Sequence, residues 1–190
     1  MIKKILILNG SPNKDGNTTR LIKWFIEGAR TKAAKIEVVN TALLKYKATG
    51  CTSCRGCQKI KEYECVINDE AAPVLAKMTK VDMIVMATPL YFYSASAQLK
   101  LVMDRMFSLY KWDNKAGTMT TPLKGKTLVL LGSAFEDIGL GVLKKPFALT
   151  ADYSDMKFAS LVVANAGESK EIVKVKGARQ KAIALGKKIA

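Results

Sequence analysis

The chain contains no histidine among its 190 residues. That absence removes the commonest general base and the commonest metal ligand, so its chemistry must run on cysteine, carboxylate, lysine, tyrosine or a bound cofactor. No stretch approaches the roughly 20 apolar residues of a membrane span. The opening MIKKILILNGS places two lysines before an apolar run, but that run has only about five residues, against roughly 7–15 for a signal region, and no small-residue cleavage site follows. A cytoplasmic location is therefore expected, with no membrane partner. Acidic residues are scarce, 16 against 31 lysines and arginines, for a net charge of +15. Such a field draws anions, although a solvated lysine-rich surface is the plainer reading. The basic pairs at 3–4, 144–145 and 187–188 are dispersed, and the lack of a long basic block argues against a nucleic-acid arm.

Apolar residues make up 49% of the chain, enough for a sizeable core, and the length fits one domain over 1–190 with a cysteine-rich insertion at 50–66. Ile2 to Leu8 is a continuous apolar run of the kind that a strand buried on both faces requires. Leu21, Ile22, Phe25, Ile26 and Ala29 then recur at helical spacing from Thr18 to about Thr31. Strands are expected at 35–40, 81–87, 127–131 and 158–164. Helices are expected from Asp69 to about Thr79, and at 94–109, 139–153 and 172–189, with a proline-containing loop at 118–125. Strands alternating with helices imply right-handed crossovers and a parallel sheet covered on both faces. Five such strands fit the doubly wound order 2-1-3-4-5, whose chain reversal opens a crevice at the carboxyl ends of the first and third strands.

Two unusual loops fall at that crevice. Residues 10–19, GSPNKDGNTT, lead into a helix whose amino terminus offers unpaired N–H groups to a phosphate, with hydroxyl and amide donors close by. The segment is neither a Walker A loop nor a G-x-G-x-x-G fingerprint, and an ordinary capped strand-to-helix turn would read similarly. Thr88-Pro89-Leu90-Tyr91-Phe92-Tyr93 sets three aromatic residues on a proline-stiffened loop. It can supply a flat apolar wall and backbone donors to a flat ring, or simply anchor the next helix.

All four cysteines, Cys51, Cys54, Cys57 and Cys65, fall within fifteen residues as C-x2-C-x2-C-x7-C. A reducing compartment argues against disulfides. Zinc sites usually carry two C-x2-C pairs separated by a longer spacer, whereas the first three cysteines match the C-x2-C-x2-C run of bacterial ferredoxins. Iron–sulfur ligation, zinc and free thiols all stay open on spacing alone.

Taken together, GSPNKDGNT at 10–18, CTSCRGC at 51–57 with Cys65, and ATPLYFYSASAQLKLVMDR at 87–105 resemble the NAD(P)H-dependent FMN reductase and iron–sulfur flavoprotein family. The resemblance runs from the first strand to the last helix and implies a flavodoxin-like fold. It implies that Ser11, Asn13, Asn17, Thr18 and Thr19 contact the FMN phosphate and ribityl chain. It further implies that Pro89, Leu90, Tyr91, Phe92 and Tyr93 border the isoalloxazine, and that the four cysteines bind a [4Fe-4S] cluster. Relatives often place a glycine-rich loop after the fourth strand; here that stretch, Gly132 to Asp137, has fewer glycines. The implied function is an FMN-dependent oxidoreductase passing electrons between FMN and the cluster, with NAD(P)H as donor and a small-molecule or ferredoxin-type partner. The alternatives are a cluster-free NAD(P)H-dependent FMN or quinone reductase and, from another class, a nucleic-acid-binding or regulatory module. Family members commonly oligomerise, so a homodimer or homotetramer is expected, with the segment from Phe107 to Pro122 as a candidate interface.

Overall fold

The computed structural model describes residues 2–113 and 115–190. Five parallel strands form the central sheet: β1 (Lys4–Asn9), β2 (Lys35–Asn40), β3 (Met83–Pro89), β6 (Thr127–Ser133) and β7 (Lys157–Val163), in the order β2-β1-β3-β6-β7. This is the doubly wound, flavodoxin-like order, with the strand reversal between β1 and β3. The apolar runs account for it, since all seven residues of β3 and the last five of β1 are buried, as strands covered on both faces must be.

Two cores flank the sheet. On one face α1 (Asn17–Arg30) and α5 (Ala178–Ile189) pack Leu21, Phe25 and Ala182 against Ile5, Ile7 and Val85. On the other, α2 (Ala71–Met78), α3 (Ala97–Arg105) and α4 (Leu140–Tyr153) pack Leu75, Leu99 and Phe147 against Leu6, Ile84 and Leu128. The contact of α1 with α5 depends on two glycines: a Cβ at Gly28 would lie 2.0 Å from the Ile183 carbonyl oxygen, and one at Gly186 would lie 2.2 Å from that of Phe25. The backbones thus touch where no side chain fits.

Three expectations need revision. The expected helix at 172–189 is a short 3-10 turn over Glu171–Lys174 followed by α5 from Ala178, because Gly177 takes φ +78 and interrupts the run. The expected helix at 94–109 is α3 with a 3-10 extension over Met106–Leu109, entered through Ser96, whose hydroxyl accepts from Leu99 N–H. The stretch read as a loop at 118–125 contributes β5 (Thr118–Thr120), which pairs antiparallel with β4 (Lys111–Asp113). That small hairpin lies against the cysteine segment, where it meets side-chain partners that local spacing does not reveal.

Candidate active site

Asn9, the last residue of β1, opens the first loop. Its carboxamide oxygen accepts from Ser11 N–H at 3.0 Å, and its nitrogen donates to the Thr19 hydroxyl at 3.1 Å, folding the chain back on the start of α1. The Ser11 hydroxyl closes the turn through Asn13 main-chain atoms at 3.2 Å. No side chain caps α1 and no acidic residue occupies its first turn. The amino-terminal N–H groups, with their partial positive charge, are therefore uncontested by any carboxylate of the helix.

Above this terminus lies a cavity of about 280 Å³ whose wall includes Ser11, Asn13, Asn17, Thr18, Pro89, Leu90 and Tyr91. Seven of the ten residues named for the cofactor thus converge from loops some 70 residues apart. Thr19 does not reach it; its hydroxyl is held by Asn9 and donates to the Asn13 carbonyl at 3.2 Å. Phe92 and Tyr93 border an adjoining shallow groove with Leu90, Phe135 and Ile138. Both adopt left-handed backbone, φ 45 and φ 62, in a two-residue turn closed by Tyr91 and Ser94. Glycine or asparagine ordinarily fills such positions, and each aromatic there costs roughly 1–2 kcal/mol. Phe92 is 100% exposed.

Of two further walls, the sequence reading named one without giving it residues of the site and missed the other. Ser133, the last residue of β6, and Ala134 and Phe135 after it line the cavity, so the loop poor in glycine borders it. The Thr18 and Ser133 hydroxyls meet at 2.8 Å in the buried floor. Ala166 to Ser169, after β7, form the opposite rim. The Asn17 carboxamide holds that rim by donating to the carbonyls of Ala166, Gly167 and Glu168 at 3.0, 3.2 and 2.9 Å and accepting from Ile172 N–H at 3.1 Å. The turn-forming run Asn165-Ala166-Gly167-Glu168-Ser169 directly after the last strand was the signal available for it.

The cysteine segment surrounds a second cavity at the far end of α3. Cys51, Cys54, Cys57 and Cys65 all line one small cavity together with Arg105, Phe107 and Ser108. Cys57 is buried, Cys65 partly so, and Cys51 and Cys54 face solvent. Among the described residues no three cysteine or acidic side chains converge tightly enough to hold a single metal ion. Ser53 and Arg55 are both left-handed, at φ 56 and φ 54. The Gly56 N–H, and then the Thr52 hydroxyl, hold the Cys54 thiol below its ordinary range. The β4–β5 hairpin pins this loop: the Lys111 ammonium donates to the carbonyls of Cys57 and Ile60, and the Tyr63 and Thr120 hydroxyls meet at 2.9 Å.

Arg105 is the largest of the fully buried side chains. It donates through Nη1 to Asp69 at 2.7 Å and through Nη2 to the Ile67 carbonyl at 3.0 Å. Burial works to lower its guanidinium, but the Asp69 carboxylate and the Cys65 thiol outweigh it and the group stays firmly charged. Among the described residues the buried side-chain polar atoms without a partner are Arg105 Nε and Ser108 Oγ.

A family model described as NADPH-dependent FMN reductase matches residues 3–161 of the chain. An iron–sulfur flavoprotein of Methanocaldococcus jannaschii is 32% identical over 117 residues, 60% of this chain and 58% of that relative. The chain therefore spans little more than half of that relative's length. Among solved structures, an FMN-dependent NADH-azoreductase from Bacillus anthracis in complex with FMN superposes with a TM-score of 0.75 at 13% identity, covering 98% of this chain and 99% of that one. An NAD(P)H:quinone oxidoreductase from Methanothermobacter marburgensis gives 0.73 at 12% identity, covering 98% and 96%. At such identities the likeness is one of fold.

Proposed function

We propose, from the premise that this chain belongs to the NADPH-dependent FMN reductase family and is an FMN-dependent oxidoreductase, that it is an iron–sulfur flavoprotein. On this reading FMN sits at the carboxyl ends of β1, β3, β6 and β7, and a [4Fe-4S] cluster sits on Cys51, Cys54, Cys57 and Cys65. NAD(P)H or a ferredoxin-type protein supplies the electrons. The observation that carries the reading is the convergence of all four cysteines on one cavity at the end of α3 opposite the flavin crevice.

The donor chemistry present suits both groups. A phosphate meets an uncapped helix terminus with no neighbouring carboxylate in its first turn, and Pro89, Leu90, Tyr91 and Phe135 offer an apolar wall to a flat ring. Since Asn17 is committed to the rim, its contribution to the phosphate is its main-chain N–H, while its side chain keeps the rim in place. At the second site, four thiols are the soft donor set that an iron–sulfur cube takes. Among the described residues the four thiols are not gathered around a single ion; what joins them is the one cavity that all four line. Left-handed backbone at 53 and 55 is the kind of conformation from which backbone nests at such centres are built.

Bound FMN supplies hydride acceptance and its division into single electrons, chemistry that needs no protein base. The absence of histidine is consistent with that. The chain's own part is to neutralise the phosphate, to exclude water from one face of the ring with Leu90 and Tyr91, and to fix the two sites at opposite ends of α3, nine residues or about 13 Å of helix.

Among the described residues no helix is long and apolar enough to cross a membrane. Exposed Phe92, Phe135 and Ile138 at the crevice, and exposed Trp112, Leu149 and Tyr153 beside a groove of about 680 Å³, support a homodimer or homotetramer. The deciding experiment is anaerobic purification followed by an absorbance spectrum with flavin, iron and sulfide analysis. Flavin with stoichiometric iron and sulfide is expected. Flavin alone, persisting after anaerobic reconstitution, leaves the cluster-free NAD(P)H-dependent reductase.

A further inference from the structure

We propose that Arg105 and Ser108 are positioning residues that donate hydrogen bonds to the sulfur atoms of the iron–sulfur centre and raise its reduction potential; this rests on the reading of the four cysteines as cluster ligands. Buried polar atoms are nearly always partnered, and each orphan costs about 1–3 kcal/mol. Among the described residues two buried side-chain atoms are orphans, Arg105 Nε and Ser108 Oγ, and both residues line the cavity that the four cysteines enclose. Both are donors, and both are shut off from solvent at 1% and 2% exposure.

The guanidinium cannot turn away to find another partner. Nη1 is held by Asp69, which is itself fixed by the N–H groups of Lys47 and Ala71 at 3.0 and 3.1 Å, and Nη2 is held by the Ile67 carbonyl. With both outer nitrogens anchored, the plane of the group is set and Nε is the nitrogen left without a partner. Ser108 follows on the 3-10 turn that continues α3, so both donors are carried by one rigid segment.

Thiolate and sulfide sulfurs are acceptors that protein donors reach in such centres, and hydrogen bonds to them are among the levers on potential. The reduced centre carries one more negative charge and draws more from each donor, so losing a donor disfavours reduction. The plain alternative is a single water, for which a cavity of about 20 Å³ has room and which would satisfy the same atoms. That water would leave the potential indifferent to Ser108.

The test is anaerobic redox titration of the reconstituted full-length chain and its Ser108→Ala variant, followed by electron paramagnetic resonance, with the FMN couple as internal control. Ser108→Ala is expected to keep wild-type iron content and an unchanged flavin couple. Reduction of its cluster should become roughly tenfold less favourable, a fall of about 59 mV. Arg105→Lys keeps the charge but removes Nε, and if it folds it should shift the same way. A wild type holding about four irons per chain whose cluster potential is unmoved by Ser108→Ala overturns this inference and leaves the cluster reading standing. A wild type that takes up no iron overturns both.

Discussion

The Arg105 guanidinium and the Asp69 carboxylate meet at 2.7 Å with side chains 0% and 1% exposed, tying the end of α3 to the segment that leads from the cysteine loop into α2. Burial pulls the Asp69 carboxyl upward, but Arg105 and the Lys47 N–H outweigh it and hold the group below the usual carboxylate range. A depressed carboxylate contributes stability that is fully present above its unfolded value of about 3.9 and is lost as pH falls through the lower folded value. Asp69→Asn, which strands a buried cation, is expected to cost about 3–5 kcal/mol at neutral pH. It should also flatten the acid limb of the stability profile below about pH 4. Urea unfolding across that range checks both; an acid limb as steep as in the wild type would assign the titration elsewhere.

Asn17→Ala removes four hydrogen bonds between α1 and the rim at 166–172. A loss of about 2–4 kcal/mol in stability is expected. Flavin affinity should fall at least tenfold, because the rim no longer closes the cavity. Fluorescence titration with FMN reads the second effect, and unchanged affinity would show that the rim does not touch the cofactor.

Phe92 is both fully exposed and left-handed. Phe92→Gly is therefore expected to stabilise the isolated chain by about 1 kcal/mol. If the ring covers the flavin edge or meets a second copy, the same variant weakens flavin binding or association. Thermal unfolding at low concentration, paired with sedimentation, separates the two effects; a destabilised monomer would mean that the ring is held by contacts within the chain.

On the iron–sulfur flavoprotein reading, Cys54→Ala is expected to abolish or degrade the cluster while FMN stays bound, since the cavity above α1 and the cysteine cavity are lined by different residues. The released flavin should be FMN, because one uncapped helix terminus serves one phosphate and no G-x-G-x-x-G is present for a pyrophosphate. Chromatography of the extract and iron analysis check the two halves separately. Stoichiometric FAD would refute the first, and retained iron the second.

Local chemistry made much of this protein legible before folding. Apolar runs at β1 and β3 and the apolar stripe of α1 announce buried strands and a half-buried helix, since burial period follows directly from backbone geometry. The glycine- and asparagine-rich loop after β1, the aromatic loop after β3 and the clustered cysteines are each contiguous, so they could be singled out in place, although spacing alone left the chemistry of the cysteines open.

Tertiary structure alone decided what those segments do to one another. Nothing local shows that Asn17 spends its side chain on a loop 150 residues away, or that this loop closes over the same cavity as the loop after β1. The β4–β5 hairpin is held partly by contacts with the cysteine loop, and the break before α5 depends on the backbone angle of a single glycine. Above all, an arginine on an amphipathic helix reads as a solvated charge. Only the packing of α3 against the cysteine loop makes Arg105 a buried cation with one nitrogen left without a partner, because hydrogen-bond satisfaction is a property of three-dimensional neighbours and not of sequence order.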